Sequence, residues 1–194
     1  MTALTGNFGE NALHARGFTL VEMAITLVIF SILVSLAVPA YSNIIRETRM
    51  KTQISDFHRS LLLARNEAIK RGARVTLCSS QGGEQCNGAN WSSGWMVFTD
   101  LDRDLVLDAE EELLQLHEGL AGGNTLTGNR PVASYVSYVA NGRTRSIGGG
   151  LQMGTLVLCD SRGFDHGRAI VINAAGRPSV RAADRSSFGN CTQP

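Results

Sequence analysis

The spacing of hydrophobic side chains divides this chain into unequal parts. Residues 1–17 are polar and unpatterned, and residues 18–38 form a nearly unbroken apolar run, FTLVEMAITLVIFSILVSLAV, with one formal charge, Glu22. At about 1.5 Å of rise per residue, such a run reaches ~30 Å as a helix, the thickness of a bilayer's hydrocarbon core. After Pro39 the pattern becomes one-sided. Ile54, Phe57, Leu61, Ala64 and Ala68 recur at steps of three and four and make a single stripe, with basic residues over much of the remaining surface. Gly72 is a stop signal. One long helix, broken near Pro39, is therefore expected from Phe18 to about Arg71: residues 18–39 cross the membrane, and residues 40–72 continue as an amphipathic helix that backs a sheet. Beyond Gly72 the apolar runs are short and separated by Gly, Asn and Asp. They predict strands at 74–79, 94–99, 112–118, 134–140, 155–160 and 168–173, and a weaker one at 179–181. The spacing suits antiparallel sheets and contains no βαβ unit and no nucleotide-binding loop. The predicted class is α+β, a long amino-terminal helix packed on a small antiparallel β domain over residues 73–194.

Composition agrees with this reading. Among 194 residues there are 21 glycines and few aromatics, which suits a loop-rich β domain better than a helical bundle. A net charge of +1 argues against a protein that coats nucleic acid. The charge is unevenly spread: residues 46–74 are mainly basic, 100–118 strongly acidic, and the tail rich in arginine. Such asymmetry suits a subunit that packs in fixed order against neighbours, with solvated faces as the plain alternative. The four cysteines form no CxxC pair and have no histidine at metal-ligand spacing, so a zinc site is not expected. An even count in an exported chain predicts two disulfides. Four cysteines allow three pairings; Cys78–Cys86 with Cys159–Cys191 is the preferred one.

Glu22 needs an explanation, because a carboxylate at the centre of a membrane helix costs about 2.5–3.5 kcal/mol on insertion scales. A secretory signal peptide would place its small-residue cleavage site after the apolar run. Here Arg16-Gly17 stands before it. Gly17-Phe18-Thr19-Leu20-Val21-Glu22 resembles the prepilin peptidase site of type IV pilins and type II secretion pseudopilins. The resemblance implies cleavage between Gly17 and Phe18, with an N-methylated Phe18 as the new amino terminus. It implies that Glu22 meets the Phe18 terminal charge of a neighbouring subunit inside a filament, and that Pro39 sits where pilin helices often carry a proline. The expected partners are other pilins or pseudopilins in a filament or tip complex, a prepilin peptidase and an inner-membrane assembly platform. The expected location is the inner membrane, single-pass, with the carboxyl-terminal domain in the periplasm.

A second resemblance covers most of the soluble domain. Residues 91–98 (WSSGWMVF) with the acidic stretch after them are similar to the GspH/FimT branch of pseudopilins and minor pilins. So are Gly142-Arg143 ahead of 156–160, and residues 169–172 ahead of Gly176-Arg177. The function this implies is assembly of a type IV pilus or a type II secretion pseudopilus, as a minor pilin or pseudopilin and not as an enzyme. Trp91 and Trp95 are expected to be core aromatics and not ligand platforms.

Remaining candidate chemistry lies in loops. Residues 100–111 imitate a calcium loop: Asp100, Asp102 and Asp104 at alternate positions, the Val106 carbonyl at the seventh, Glu111 at the twelfth. Leu105 stands where the sharp turn prefers Gly, Arg103 offsets part of the charge, and a solvated acidic hairpin is the favoured reading. The alternative function is DNA binding for uptake, which some FimT-like minor pilins perform through carboxyl-terminal arginines; Arg177, Arg181 and Arg185 are the candidates, with Arg162 and Arg168 upstream. A compact Gly-Arg-x-Arg occurs only at 142–145, which is expected elsewhere on the fold. His14, His58, His117 and His166 form no recognisable catalytic motif, and no cofactor is implied.

Overall fold

The structure, a computed structural model, describes residues 17–86, 88, 90–184 and 191. The chain divides into two compact units, Met1–Ile44 and Ile45–Pro194. Helix α1 (Leu20–Arg71) contributes to both. It is continuous through Pro39, where the sequence suggested a break. A proline inside a helix removes one hydrogen bond without necessarily ending it.

In the first unit every described side chain from Phe18 to Val38 is exposed. In the second, Met50, Ile54, Phe57, Leu61, Ala64 and Ala68 are buried, so the predicted stripe extends one turn further toward the amino terminus. Lys70 and Arg71 in the last turn pair with Glu67 and complement the negative end of the helix dipole. Gly72 follows at φ +64, a left-handed conformation that glycine adopts without steric cost.

Eight strands follow: β1 (Val75–Ser79), β2 (Gly94–Thr99), β3 (Leu113–Glu118), β4 (Thr125–Gly128), β5 (Tyr135–Tyr138), β6 (Gly154–Cys159), β7 (Arg168–Ile172) and β8 (Pro178–Ala182). They form two antiparallel four-stranded sheets, ordered β3-β2-β1-β5 and β4-β6-β7-β8. β4 was not predicted.

Alternation along each strand sends one set of side chains to the helix. Val75, Leu77, Trp95, Val97, Val136 and Tyr138 from the first sheet, and Leu126, Leu156, Leu158, Ile170 and Ile172 from the second, join the helical stripe in one core. Phe57 is its hub, meeting Trp91 and Trp95 edge-to-face at 5.1 and 5.0 Å. Both indoles are satisfied, Trp91 Nε1 donating to the Val132 carbonyl (3.1 Å) and Trp95 Nε1 to Ser60 Oγ (2.9 Å). The tryptophans are core residues, with their polar edges paired as burial demands.

The outer faces are covered as well. Cys78, Met96 and Phe98 pack with Leu107 and Tyr135, and Cys78 is bonded to Cys86. Val157, Cys159 and Ala169 pack with Phe164 and Ala183, and Cys159 is bonded to Cys191. Double coverage explains why β1 and β2 are buried at every position. Polar contacts add to the helix–sheet seam. Glu47 accepts from Arg168 and from Arg162 (3.4 Å), while Arg162 also pairs with Asp160 at 2.7 Å. The hydrogen bond from Arg168, followed by its charge and by Arg162, holds Glu47 below the usual carboxylate range against a smaller opposing effect of burial. At Asp160 burial pushes upward, but the bonds and charge of Arg162 outweigh it and the group is lowered.

Candidate functional site at the amino-terminal assembly segment

Thr19 and Glu22 start the helix. The Met23 N–H donates to the Thr19 carbonyl (3.1 Å), and the Glu22 N–H to Thr19 Oγ1 (3.2 Å). Thr19 is thus the N-cap and Glu22 the third helical residue, the Thr-x-x-Glu spacing of a capping box. That spacing was visible in the sequence and passed unused beside the louder peptidase resemblance. It places the Glu22 carboxylate over the positive end of the helix dipole. Glu22 is exposed and makes no ion pair among the described residues.

Its neighbours are apolar on every side of the helix, and the few other polar side chains are internally satisfied. Thr26, Ser31 and Ser35 donate to the carbonyls of Met23, Val28 and Ile32 at 2.9, 2.8 and 2.7 Å. By length and composition the helix can cross a membrane. Phe18 is 77% exposed just ahead of it. At Gly17 an added Cβ would meet nothing within 4 Å among the described residues. The described part of the fold does not require glycine there.

The other predicted positions fall elsewhere. In the acidic loop between β2 and β3, one carboxylate oxygen from each of Asp100, Asp102 and Asp104 lies within 4.8 Å of the others. Leu105 adopts φ +68 and Arg103 φ +74, so the sharp turn forms without the glycine the motif prefers. Glu111 does not join the three aspartates: it accepts the N–H groups of Leu101 (2.6 Å) and Asp108 (3.4 Å). Val106 bridges Gln85, and its N–H donates to Asp104 Oδ1 (2.7 Å).

Arg177 and Arg181 are exposed, whereas Arg162 and Arg168 are engaged with Glu47 and Asp160, and Arg185 lies outside the described residues. The Gly142–Arg145 segment is not remote from the tail, as was expected. A Cβ on Gly176 would stand 2.5 Å from the Gly142 carbonyl oxygen, so the two Gly-Arg turns abut. His58 Nε2 lies 3.3 Å from the Pro178 carbonyl, and His117 stacks on Trp95 at 3.8 Å. His14 also lies outside the described residues.

An exposed apolar helix opening on a Gly-Phe-x-x-x-Glu sequence and continuing into a two-sheet domain defines a pilin-like subunit. A profile of the prokaryotic N-terminal methylation motif matches residues 13–38. A second, described as type II transport protein GspH, matches residues 53–176, well over half of the chain. The chain belongs to the GspH family. Among solved structures it is similar to the type IV minor pilin FimU of Pseudomonas aeruginosa, with 18% identity, a TM-score of 0.53, and coverage of 76% of this chain and 98% of that one. The minor pseudopilin EpsH of the Vibrio cholerae type 2 secretion system also matches, with 14% identity, a TM-score of 0.46, and coverage of 69% and 97%. No curated protein matches. The chain is thus a pilin-like member of the GspH family that carries an amino-terminal methylation motif.

Proposed function

We propose that this subunit is cleaved between Gly17 and Phe18, methylated at the new amino terminus, and held in the inner membrane by residues 18–39 until it enters a pilus or pseudopilus. The β domain, residues 73–194, then lies in the periplasm, joined to the anchor by residues 40–72. Other pilins, a prepilin peptidase and the assembly platform are its partners.

One observation carries this reading. Glu22 is the single carboxylate in an apolar run with no partner from its own chain among the described residues. The Glu22 carboxylate accepts no hydrogen bond among the described residues, its N–H alone being paired with Thr19, so the acid remains available for a second molecule. A neighbour's terminal ammonium would replace the water that the filament core excludes. Gly17 supports the processing step, because nothing among the described residues requires a residue without a side chain there. Pro39, lacking an N–H, marks a turn that can loosen during packing.

Glu22→Ala tests the proposal. The variant should be inserted and acquire the mature mass, yet be missing from sheared filaments or from cross-linked assemblies; incorporation at the wild-type level would remove the role given to Glu22. Gly17→Val should keep the leader, and a mature amino terminus at Phe18 in that variant would remove the cleavage site.

A second reading, DNA capture for uptake, draws on the exposure of Arg177 and Arg181 and on the contact between the two Gly-Arg turns. Phosphate contacts of this kind are salt-sensitive and independent of sequence. A gel shift at low salt that is equal for wild type and for R177A/R181A would dismiss it.

A further inference from the structure

We propose that the loop between β2 and β3 is a calcium site, with Asp100, Asp102 and Asp104 each giving a carboxylate oxygen. The inference is independent of processing and of filament assembly.

The first observation is the cluster itself. Ligands facing each other across a calcium ion stand about 4.6–5.2 Å apart, twice a bond length of 2.3–2.6 Å. The three aspartate oxygens, all within 4.8 Å of one another, therefore fit around one such ion. Oxygen-only donors select a hard cation. Three carboxylates favour calcium over magnesium, which keeps most of its waters and is usually held by one or two carboxylates.

The second observation lies at Asp100. Its side chain is fully buried, and Oδ2 accepts from Thr76 Oγ1 at 2.6 Å. Oδ1 is buried too, and no hydrogen bond reaches it among the described residues. A buried carboxylate oxygen without a donor or cation is costly. The charge of Arg74 is felt at Asp100, but no basic side chain among the described residues donates to Oδ1. Arg74 donates to Ser137 Oγ (2.7 Å) and to the Arg145 carbonyl (3.0 Å), and neither Arg74 nor Arg103 makes an ion pair among the described residues. Asp102 and Asp104, both exposed, bring their carboxylate oxygens within 4.8 Å of an Asp100 oxygen. The site thus joins one rigid, sheet-anchored ligand to two on a surface turn, and bound water completes the shell.

Glu111 positions the loop. By accepting the N–H groups of Leu101 and Asp108 it closes the segment across which the aspartates are spaced. The ion would pin that segment, through Val106 and Leu107, over the outer face of the first sheet beside Cys78–Cys86.

The test uses the full chain in detergent micelles, stripped with a chelator and then titrated with calcium chloride in a calorimeter and in thermal melts. Saturable heat is expected with a Kd of about 0.1–1 mM, the range of extracytoplasmic modules. At about 10 mM calcium the melting midpoint should rise by roughly 3–8 °C. Magnesium at the same concentration should give no saturable heat. D102N/D104N alters exposed side chains only and should keep the wild-type circular dichroism while losing at least ~tenfold in calcium affinity. Absence of heat from the wild type up to ~10 mM calcium, or wild-type affinity in D102N/D104N, would overturn the site.

Discussion

Residues 20–38 and 50–71 belong to one helix, and they solve opposite problems. The first stretch is apolar all round, and none of its described side chains is covered by the protein. The second is apolar on one stripe, and that stripe is covered completely. Secondary structure is the same in both, so backbone hydrogen bonding does not distinguish them; the environment each face requires does. The second stretch has its own sheets as a solvent. The first must find lipid or neighbouring subunits. A helix of uniform appearance can therefore be half finished.

Substitutions along the helix test this contrast. Phe57→Ala should have the largest effect. It empties the hub between Trp91 and Trp95, and truncation of a buried phenylalanine costs about 3–5 kcal/mol. Chemical denaturation of the full chain in micelles would measure it, and a loss under ~1 kcal/mol would mean the hub is not where the second stretch is held. Next come the disulfides that brace the sheets. Cys159 and Cys191 are 32 residues apart and Cys78 and Cys86 only 8. Replacing either pair by serine should cost about 2–4 kcal/mol, the longer loop losing roughly 1 kcal/mol more. Equal midpoints for both variants would show that chain entropy is not the main term.

Smaller still is the ionic seam. Glu47 lies below its ordinary value because Arg168 and Arg162 favour its charged form. The unfolded chain therefore binds the proton more tightly than the native one, and stability rises with pH across that window. The contribution is complete above the ordinary value near 4.5 and disappears as pH falls through the lower folded value. E47Q should flatten the stability profile at acidic pH below about 4.5, with a difference of up to ~1 kcal/mol at neutral pH. A profile identical to wild type would mean the seam contributes nothing. Ile29→Ala, in the first stretch, should move the melting midpoint least, by no more than about 0.5 kcal/mol equivalent. A larger change would mean that residues 20–38 already have cover.

The sequence carried most of the fold, for reasons that differ by element. The anchor was legible because an acid in an apolar run has few explanations. The amphipathic half was legible because the stripe keeps one period for several turns. β4 was not: it is four residues long, bounded by Asn124 and Asn129, and Leu126 is its one large apolar residue, too little for a period-two signal. Nor does a sequence reveal that Thr76 and Asp100 are fully buried. Their burial is tertiary, Thr76 meeting Asp100 and Ser137 from segments 24 and 61 residues away, and polar residues look solvated until those segments come together. The contact of Gly176 with the Gly142 turn is likewise tertiary. Pro39 misled in the opposite direction, because local propensity is a weak prior against a long helix held on both sides of one missing hydrogen bond.

Where the covalent cross-links sit has a mechanical consequence. Cys78–Cys86 and Cys159–Cys191 each knit the outer layer of a sheet, and neither crosses to α1. A force on α1 thus reaches the β domain through the chain at Gly72 and through the buried stripe, which is held by packing and not by a cross-link. Under tension the knitted sheets should outlast the seam, and slippage along the helix should precede any unravelling of strands.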